Sequence, residues 1–476
     1  LAAGLLDCGS TSDTLPTKPP AGDADTTAEH LLGGVQEATW ATFELSQALL
    51  PAVFAQQISG VDRQWNSYAL YVPTAVQSGV ETERLFQAFY NLSAFESFSR
   101  TYRVDADGGL KYVRQMRAAY AAKAPAQPIG VGIAQVYEAL LMGTAADWFG
   151  DVPYSRADTT PNGDVPFDGQ GAVYAHVLAL LDSALVNLAS GGSFTGPDAV
   201  YGGNAAAWIR MAHTLKARIN LHASRFSDST ARFQAALSEA ELGISTPAGT
   251  YEAKHGSGST VNLIWGSIGV GGDRGNDVST PGGMIEIMKA RVDANALALD
   301  FTKVDSAGTS TYVGTPPTTR TLPPGVSNPS NLRMTSSSPV PIVTYAENQL
   351  ILAEARYRTG DVVAALETLN AERATLGEPA IDASGVTILE EILTEKYVQG
   401  FLTSEPWLGY LRTCWPNLAL PPNAALGYVP GRLWVAQSVI QNNPNTPVQH
   451  VVNAATPRRE KSLDWQYCSG QRNRPE

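Results

Sequence analysis

The stretch LLMGTAADWFGDVPYSRA, residues 140–157, decides how this chain is read. It is the end of an apolar run followed by an abrupt reversal. Two carboxylates, Asp147 and Asp151, flank Trp148, with Tyr154 just beyond. Such a cluster is either a pair of catalytic acids beside an aromatic platform or a way of ending a helix. The residues upstream decide between them. Over 131–150, Ile133, Tyr137, Leu140, Leu141, Thr144 and Trp148 recur at spacings of three and four. That period predicts a helix with one apolar stripe, Trp148 included, against a neighbour. Gly150 suits a helix exit because it tolerates a left-handed backbone. Pro153 stops the helix from resuming and keeps Val152 extended. The stretch reads as packing and chain reversal.

The rest of the chain extends this picture. Its 476 residues are 44% hydrophobic, enough for a large core, and 43 Gly and 30 Pro imply many loops. Helical spacing recurs over 37–60 (interrupted at Pro51), 83–102, 108–124, 171–190, 202–226 and 229–242. Residues 345–377 read as a helical hairpin, its first helix ending near Gly360 and its second restarting at Asp361. There Ala355, Tyr357, Gly360 and Ala365 sit where a tetratricopeptide-like pair places small and packing residues. The helix over 387–413 breaks around Pro406. Residues 243–340 are Gly/Ser-rich, then Pro/Thr/Ser-rich, around one short helix at 284–300. The expected fold is mainly α, with tetratricopeptide-like helical pairs and an irregular, loop-rich insertion.

Charge and motifs exclude several functions. A formal net charge of -12 makes the chain a poor candidate for binding phosphates, so nucleic acid is not an expected partner. No segment carries the ~18 consecutive apolar residues of a membrane-spanning helix. HExxH, GxxxxGK[ST] and GxSxG are all missing, so neither a metal nor a cofactor is expected. A glycoside hydrolase would need two carboxylates at a set separation. The pairs on offer are Asp147 with Asp151, Asp273 with Asp277, and Glu390, Glu391 and Glu395 beside Lys396. The glutamates read as a solvated helix face and the aspartates as turn chemistry. His222 reads as a packed or capping histidine, and Lys216 and Arg218 as support for helix packing or a salt bridge.

Several motifs, in order, now point to one family. VYEALLMGTAADWFGDVPYSRA (136–157), GGNAAAWIRMAHTLKARINLHAS (202–224), VTYAENQLILAEARYRTGD (343–361), ILEEILTEKYVQGFLTSEPWLGYLRT (388–413) and VPGRLWVAQSVIQNNPN (429–445) resemble successive motifs of the SusD/RagB family. Members of that family are outer-membrane nutrient-binding lipoproteins. The resemblance implies a non-enzymatic protein that captures a glycan, or in some members a peptide, at the cell exterior. It also implies a SusC-like TonB-dependent outer-membrane transporter as partner. An all-helical glycoside hydrolase remains the enzymatic alternative. Residues 1–28, opening LAAGLLDCGSTSD, read as a lipoprotein signal remnant and a flexible tether, with Cys8 as the lipid-bearing residue. Residues 29–476 are then expected to form a single SusD-like domain, with 243–340 as its ligand-side insertion.

Two loops carry the residues suited to a sugar. Flat aromatic faces stack on sugar rings, while amides, carboxylates and guanidiniums bond the hydroxyls at their edges. The loop DRQWNSYALY (62–71) offers Trp65, Asn66, Tyr68 and Tyr71. The loop NLIWGSIGVGGDRGND (262–277) offers Asn262, Trp265, Asp273 and Arg274. Each aromatic could instead anchor its loop to the core. Trp40, Trp208, Trp407 and Trp465 read as structural. Cys414 and Cys468 are a candidate disulfide in an oxidising compartment, or else two buried thiols.

Overall fold

A computed structural model describes residues 27–447, apart from 73–79, 92–94, 97–102, 105–107, 158–163, 193, 195, 227–228, 256–260, 269–276, 281, 307, 316–324, 329–334 and 427. Cys8, Asp273, Arg274, Trp465 and Cys468 therefore lie outside the described residues. Cys414 is disulfide-bonded.

The helices begin with α1 (Ala28–Glu44), α2 (Leu50–Phe54), α3 (Arg63–Ala69), α4 (Val80–Ala88) and α5 (Gly109–Ala121). Next come α6 (Pro128–Phe149), α7 (Gln170–Leu188), α8 (Ala205–Ala223) and α9 (Ser229–Ala240). The insertion holds α10 (Leu263–Ile268), α11 (Gly282–Ala290) and α12 (Ala294–Asp300). After it come α13 (Tyr345–Arg358), α14 (Val362–Thr375), α15 (Val386–Gln399), α16 (Glu405–Thr413) and α17 (Gln437–Asn442). Among the described residues, strands occur as short antiparallel pairs: β1 (Ser59–Gly60) with β5 (Val278–Ser279), β2 (Phe95–Glu96) with β3 (Arg103–Val104), β4 (Tyr251–Ala253) with β8 (Val340–Val343), and β6 (Val304–Ser306) with β7 (Thr309–Thr311).

The opening stretch is the hub. Pro128 starts α6 and Gly150 ends it at φ 79°, where an added Cβ would lie 2.6 Å from the Arg432 guanidinium. The Leu433 N–H donates to the Trp148 carbonyl at 2.6 Å, so the C-terminal segment closes over the helix end. Trp148 packs edge-on against Phe89 and Phe43. The expected single stripe is too narrow, because α6 is buried on every side by α5, α7 and α8. It is also long and apolar enough to cross a bilayer, yet 94% of its apolar window is buried inside the protein. Surrounded this way, it is a core helix.

Helix pairs stack beyond α8. One apolar cluster joins α8, α9 and α13 through Ala217, Leu221, Ala236, Ile351 and Ala355. The next joins α13, α14 and α15 through Leu350, Ala353, Ala365, Leu369 and Ile392. Helix α13 thus serves two layers with opposite faces. Its start is a capping box, Thr344 with Glu347, and the hairpin turns at Gly360, φ 99°, with Asp361 accepting from the Ala364 N–H.

Some expected boundaries move. Residues 62–71 were expected as a loop, but Asp62 caps a helix there, α3. The helix expected over 83–102 ends at Ala88, and 95–96 pairs with 103–104 instead. The break in 387–413 falls between Gln399 and Glu405, with Pro406 starting α16 rather than interrupting it.

Several charged side chains are buried in networks. Glu395 was expected on a solvated face with Glu391. It is buried, accepts from Arg373 Nη1 at 2.5 Å and from Arg291 Nη2 at 2.6 Å, and Glu391 pairs with Arg291 as well. His222 lies buried between Asp147 (Nδ1 to Oδ1, 3.0 Å) and Glu405 (Nε2 to Oε2, 3.1 Å). Arg218 pairs with Glu347 at 2.5 Å beside them. Burial alone would lower the His222 pKa, but the Asp147 and Glu405 charges outweigh it and raise it from 6.5 to about 9. A raised folded-state pKa stabilises fully below pH 6.5, and this contribution is lost as pH rises through about 9. The shift corresponds to roughly 3 kcal/mol. His222→Gln is expected to flatten the fall of the urea midpoint between pH 6.5 and 9. Equal slopes in the two proteins would show that His222 does not drive it.

Candidate functional site

The two loops singled out by sequence are brought together. Strand β1 pairs with β5, Ser59 opposite Ser279 and Gly60 opposite Val278. The Val61 N–H donates to the Asp277 carbonyl at 2.8 Å, and Arg63 Nε lies 3.6 Å from Asp277 Oδ1. Asp277 itself is buried. Gly60 is required here, since a Cβ would fall 1.7 Å from the Trp65 carbonyl oxygen.

The aromatic residues of the first loop face inward. Trp65, Tyr68 and Tyr71 are buried, and Trp65 packs edge-on against Tyr68 with ring centroids 5.6 Å apart. Tyr71 packs against Phe54, and burial raises its phenol pKa. As platforms for a ligand these three are corrected: they present no ring face to solvent, because α3 turns its apolar side onto α2 and the core. The Trp65 indole N–H and Asn66 Oδ1 are buried without hydrogen-bond partners among the described residues. What α3 leaves outside is polar. Asp62 and Arg63 are exposed, and Gln64 and Asn66 are half-buried.

The second loop divides in the same way. Asn262 was expected at the ligand, but it is buried as the keystone of α10. Its Oδ1 accepts from the Trp265 N–H at 2.9 Å, and its Nδ2 donates to the Ser338 carbonyl at 3.0 Å. Glu44, buried and paired with His255 at 2.9 Å, accepts from the Leu263 N–H. Burial raises the Glu44 pKa against the His255 hydrogen bond. Trp265 is half-buried, with part of the indole resting on the core. Among the described nominated residues, Trp265 is the aromatic that is not fully buried.

The carboxylate pairs have structural tasks. Asp147 accepts from the Tyr174 hydroxyl at 2.6 Å as well as facing His222. Asp151 accepts from the Gln170 N–H at 2.9 Å at the start of α7. Both hold the α6–α7 corner. Sequence reading missed Asp198, which is buried and accepts from Gln36 Nε2 and Trp208 Nε1, each at 2.8 Å. The Trp208 spacing showed a helix, but no local pattern links Asp198 to Gln36, 162 residues away.

Relatives place this architecture. Among solved structures, a chitin-binding protein superposes with a TM-score of 0.68 at 19% identity, over 88% of this chain and 94% of that one. A SusD/RagB family protein from Bacteroides thetaiotaomicron gives 0.67 at 17% identity, over 88% and 95%. A chitin-binding SusD homolog from Flavobacterium johnsoniae gives 0.65 at 17% identity, over 87% and 94%. At such identities these likenesses speak for the fold. No curated protein sequence matches the chain. The sequence profile of the SusD-like family, described as starch-binding and associating with the outer membrane, matches residues 43–433. With most of its length matched and the helical architecture in agreement, the chain belongs to the SusD-like family.

Proposed function

We propose that this protein is a cell-surface glycan-binding lipoprotein, anchored through Cys8, that passes its ligand to a SusC-like TonB-dependent transporter without cleaving it. The observation that carries this reading is the family match over residues 43–433, in a family described as starch-binding. The chitin-binding neighbours point the same way on ligand class. The ligand rests on Trp265. Asp273 and Arg274, eight and nine residues further along the chain, and the polar outer side of α3 (Asp62, Arg63, Asn66) bond its hydroxyls. Trp65, Tyr68, Tyr71 and Asn262 hold these two segments in place from beneath. The structural tasks of Asp147, Asp151 and Glu395 support binding rather than hydrolysis.

Titration of the purified protein with starch and chitin oligosaccharides tests this. Trp265→Ala is expected to weaken binding at least ~10-fold, about 1.4 kcal/mol, with an unchanged urea midpoint. Equal affinity in the variant would remove Trp265 from the site. Release of new reducing ends would show an enzyme instead.

A further inference from the structure

A concavity of about 240 Å³ opens where several helix ends meet. Its walls include Ser224 and Arg225 just past α8, Phe233 of α9, Arg358 at the end of α13, and Arg412 of α16. Three guanidiniums line it, and among the described residues none of those lining it is acidic. Behind them lies Glu354, wholly buried. Arg412 grips it with both Nη atoms, 2.5 and 2.7 Å from its two oxygens, and Lys396 Nζ donates at 2.8 Å. Arg358 Nε stands 3.8 Å from the same carboxylate. Glu354 is therefore shared among three cations at the floor of the cleft, and the Glu405 charge also acts on Lys396. The Nε atoms of Arg358 and Arg412 are buried and have no hydrogen-bond acceptor among the described residues. Burial lowers the Arg358 pKa, and the nearby Arg412 charge adds to this against the pull of Glu354.

We propose that this cleft binds the anionic group of an acidic saccharide, a uronate carboxylate or a sugar sulfate. Guanidiniums match such oxyanions with paired, directional N–H donors. Phe233, with the Arg358 guanidinium 5.3 Å from its ring centroid, gives the sugar an apolar wall. The saccharide half of the proposal rests on the glycan reading above, whereas the anion half rests on the cleft alone. The site is separate from Trp265, which contributes nothing to its lining.

Calorimetric titration with an oligogalacturonate, a sulfated oligosaccharide, a neutral oligosaccharide of equal length and an acidic peptide tests it. At least one acidic sugar is expected to bind, more weakly as salt rises. Arg358→Gln should weaken that binding at least tenfold and leave neutral-glycan binding intact. Arg412 is left in place because it holds Glu354. Ser229→Glu, on the exposed rim, sets a carboxylate at the mouth without touching the network and should have the same effect. The urea midpoint reports folding of both variants. Failure of both acidic sugars to bind, or binding indifferent to both variants, overturns the proposal. Equal binding of the acidic peptide overturns the saccharide assignment. Trp265→Ala keeps the two readings apart: if it weakens neutral-glycan binding while the acidic sugars fail, only the cleft proposal falls. If the neutral glycan does not bind, the earlier reading falls.

Discussion

Glu354→Ala is expected to destabilise the protein by roughly 3–5 kcal/mol, the range for removing one partner of a buried ionic cluster. Burial on its own would push the Glu354 carboxyl up, but Arg412 and then Lys396 hold it well below the usual carboxylate range. Without it, Arg412, Lys396 and Arg358 face one another with no carboxylate between them. The loss comes from stranded cations more than from missing contacts, so Glu354→Gln, which keeps the shape, should recover little. The urea midpoint and slope measure both variants. A parent-like midpoint in Glu354→Ala would show that water or another acid already neutralises these cations.

Trp65→Ala is expected to cost ~3–5 kcal/mol as well, by a different route. The indole is fully buried between α3 and the core, and truncation leaves a cavity that the β1–β5 pairing resists closing. Any loss of glycan binding in Trp65→Ala should track the unfolded fraction and recover under conditions that restore folding. Trp265→Ala should show the opposite, with binding lost and stability kept. Binding lost at an unchanged midpoint in Trp65→Ala would mean that the ring reaches the ligand in a conformation other than this one.

The contrast between these tryptophans shows where sequence reasoning ends. Both sit in short segments that mix aromatic and polar residues, with too few turns to show a period. In α6 the period was long enough to set Trp148 inside. In α3, seven residues long, the same residue types permit either face. The direction of Trp65 is set by α2 and by β5, and the latter arrives from the far side of the chain. Asn262 is similar: an amide suited to a sugar hydroxyl is equally suited to cap the helix that carries Trp265.

Charged residues were harder still to read. Glu395 lies on α15 with the spacing of a solvated face, but its cations come from Arg291 and Arg373. Glu354 shows locally only Arg358, one turn along its helix, while Lys396 and Arg412 follow it by 42 and 58 residues. A charge next to a hydrophobic period looks the same in sequence whether water or a distant guanidinium neutralises it.

By itself, then, the sequence determined what depends on neighbours in the chain. It set the long helices through their period, the exit at Gly150, the restart at Asp361, and the ordered motifs that mark the SusD-like family. Tertiary structure decided which aromatic faces open outward, which carboxylates lie buried beside arginine, and where three guanidiniums meet in one cleft. Those outcomes depend on burial and on Coulomb pairing between residues far apart in sequence, and neither is encoded in local spacing.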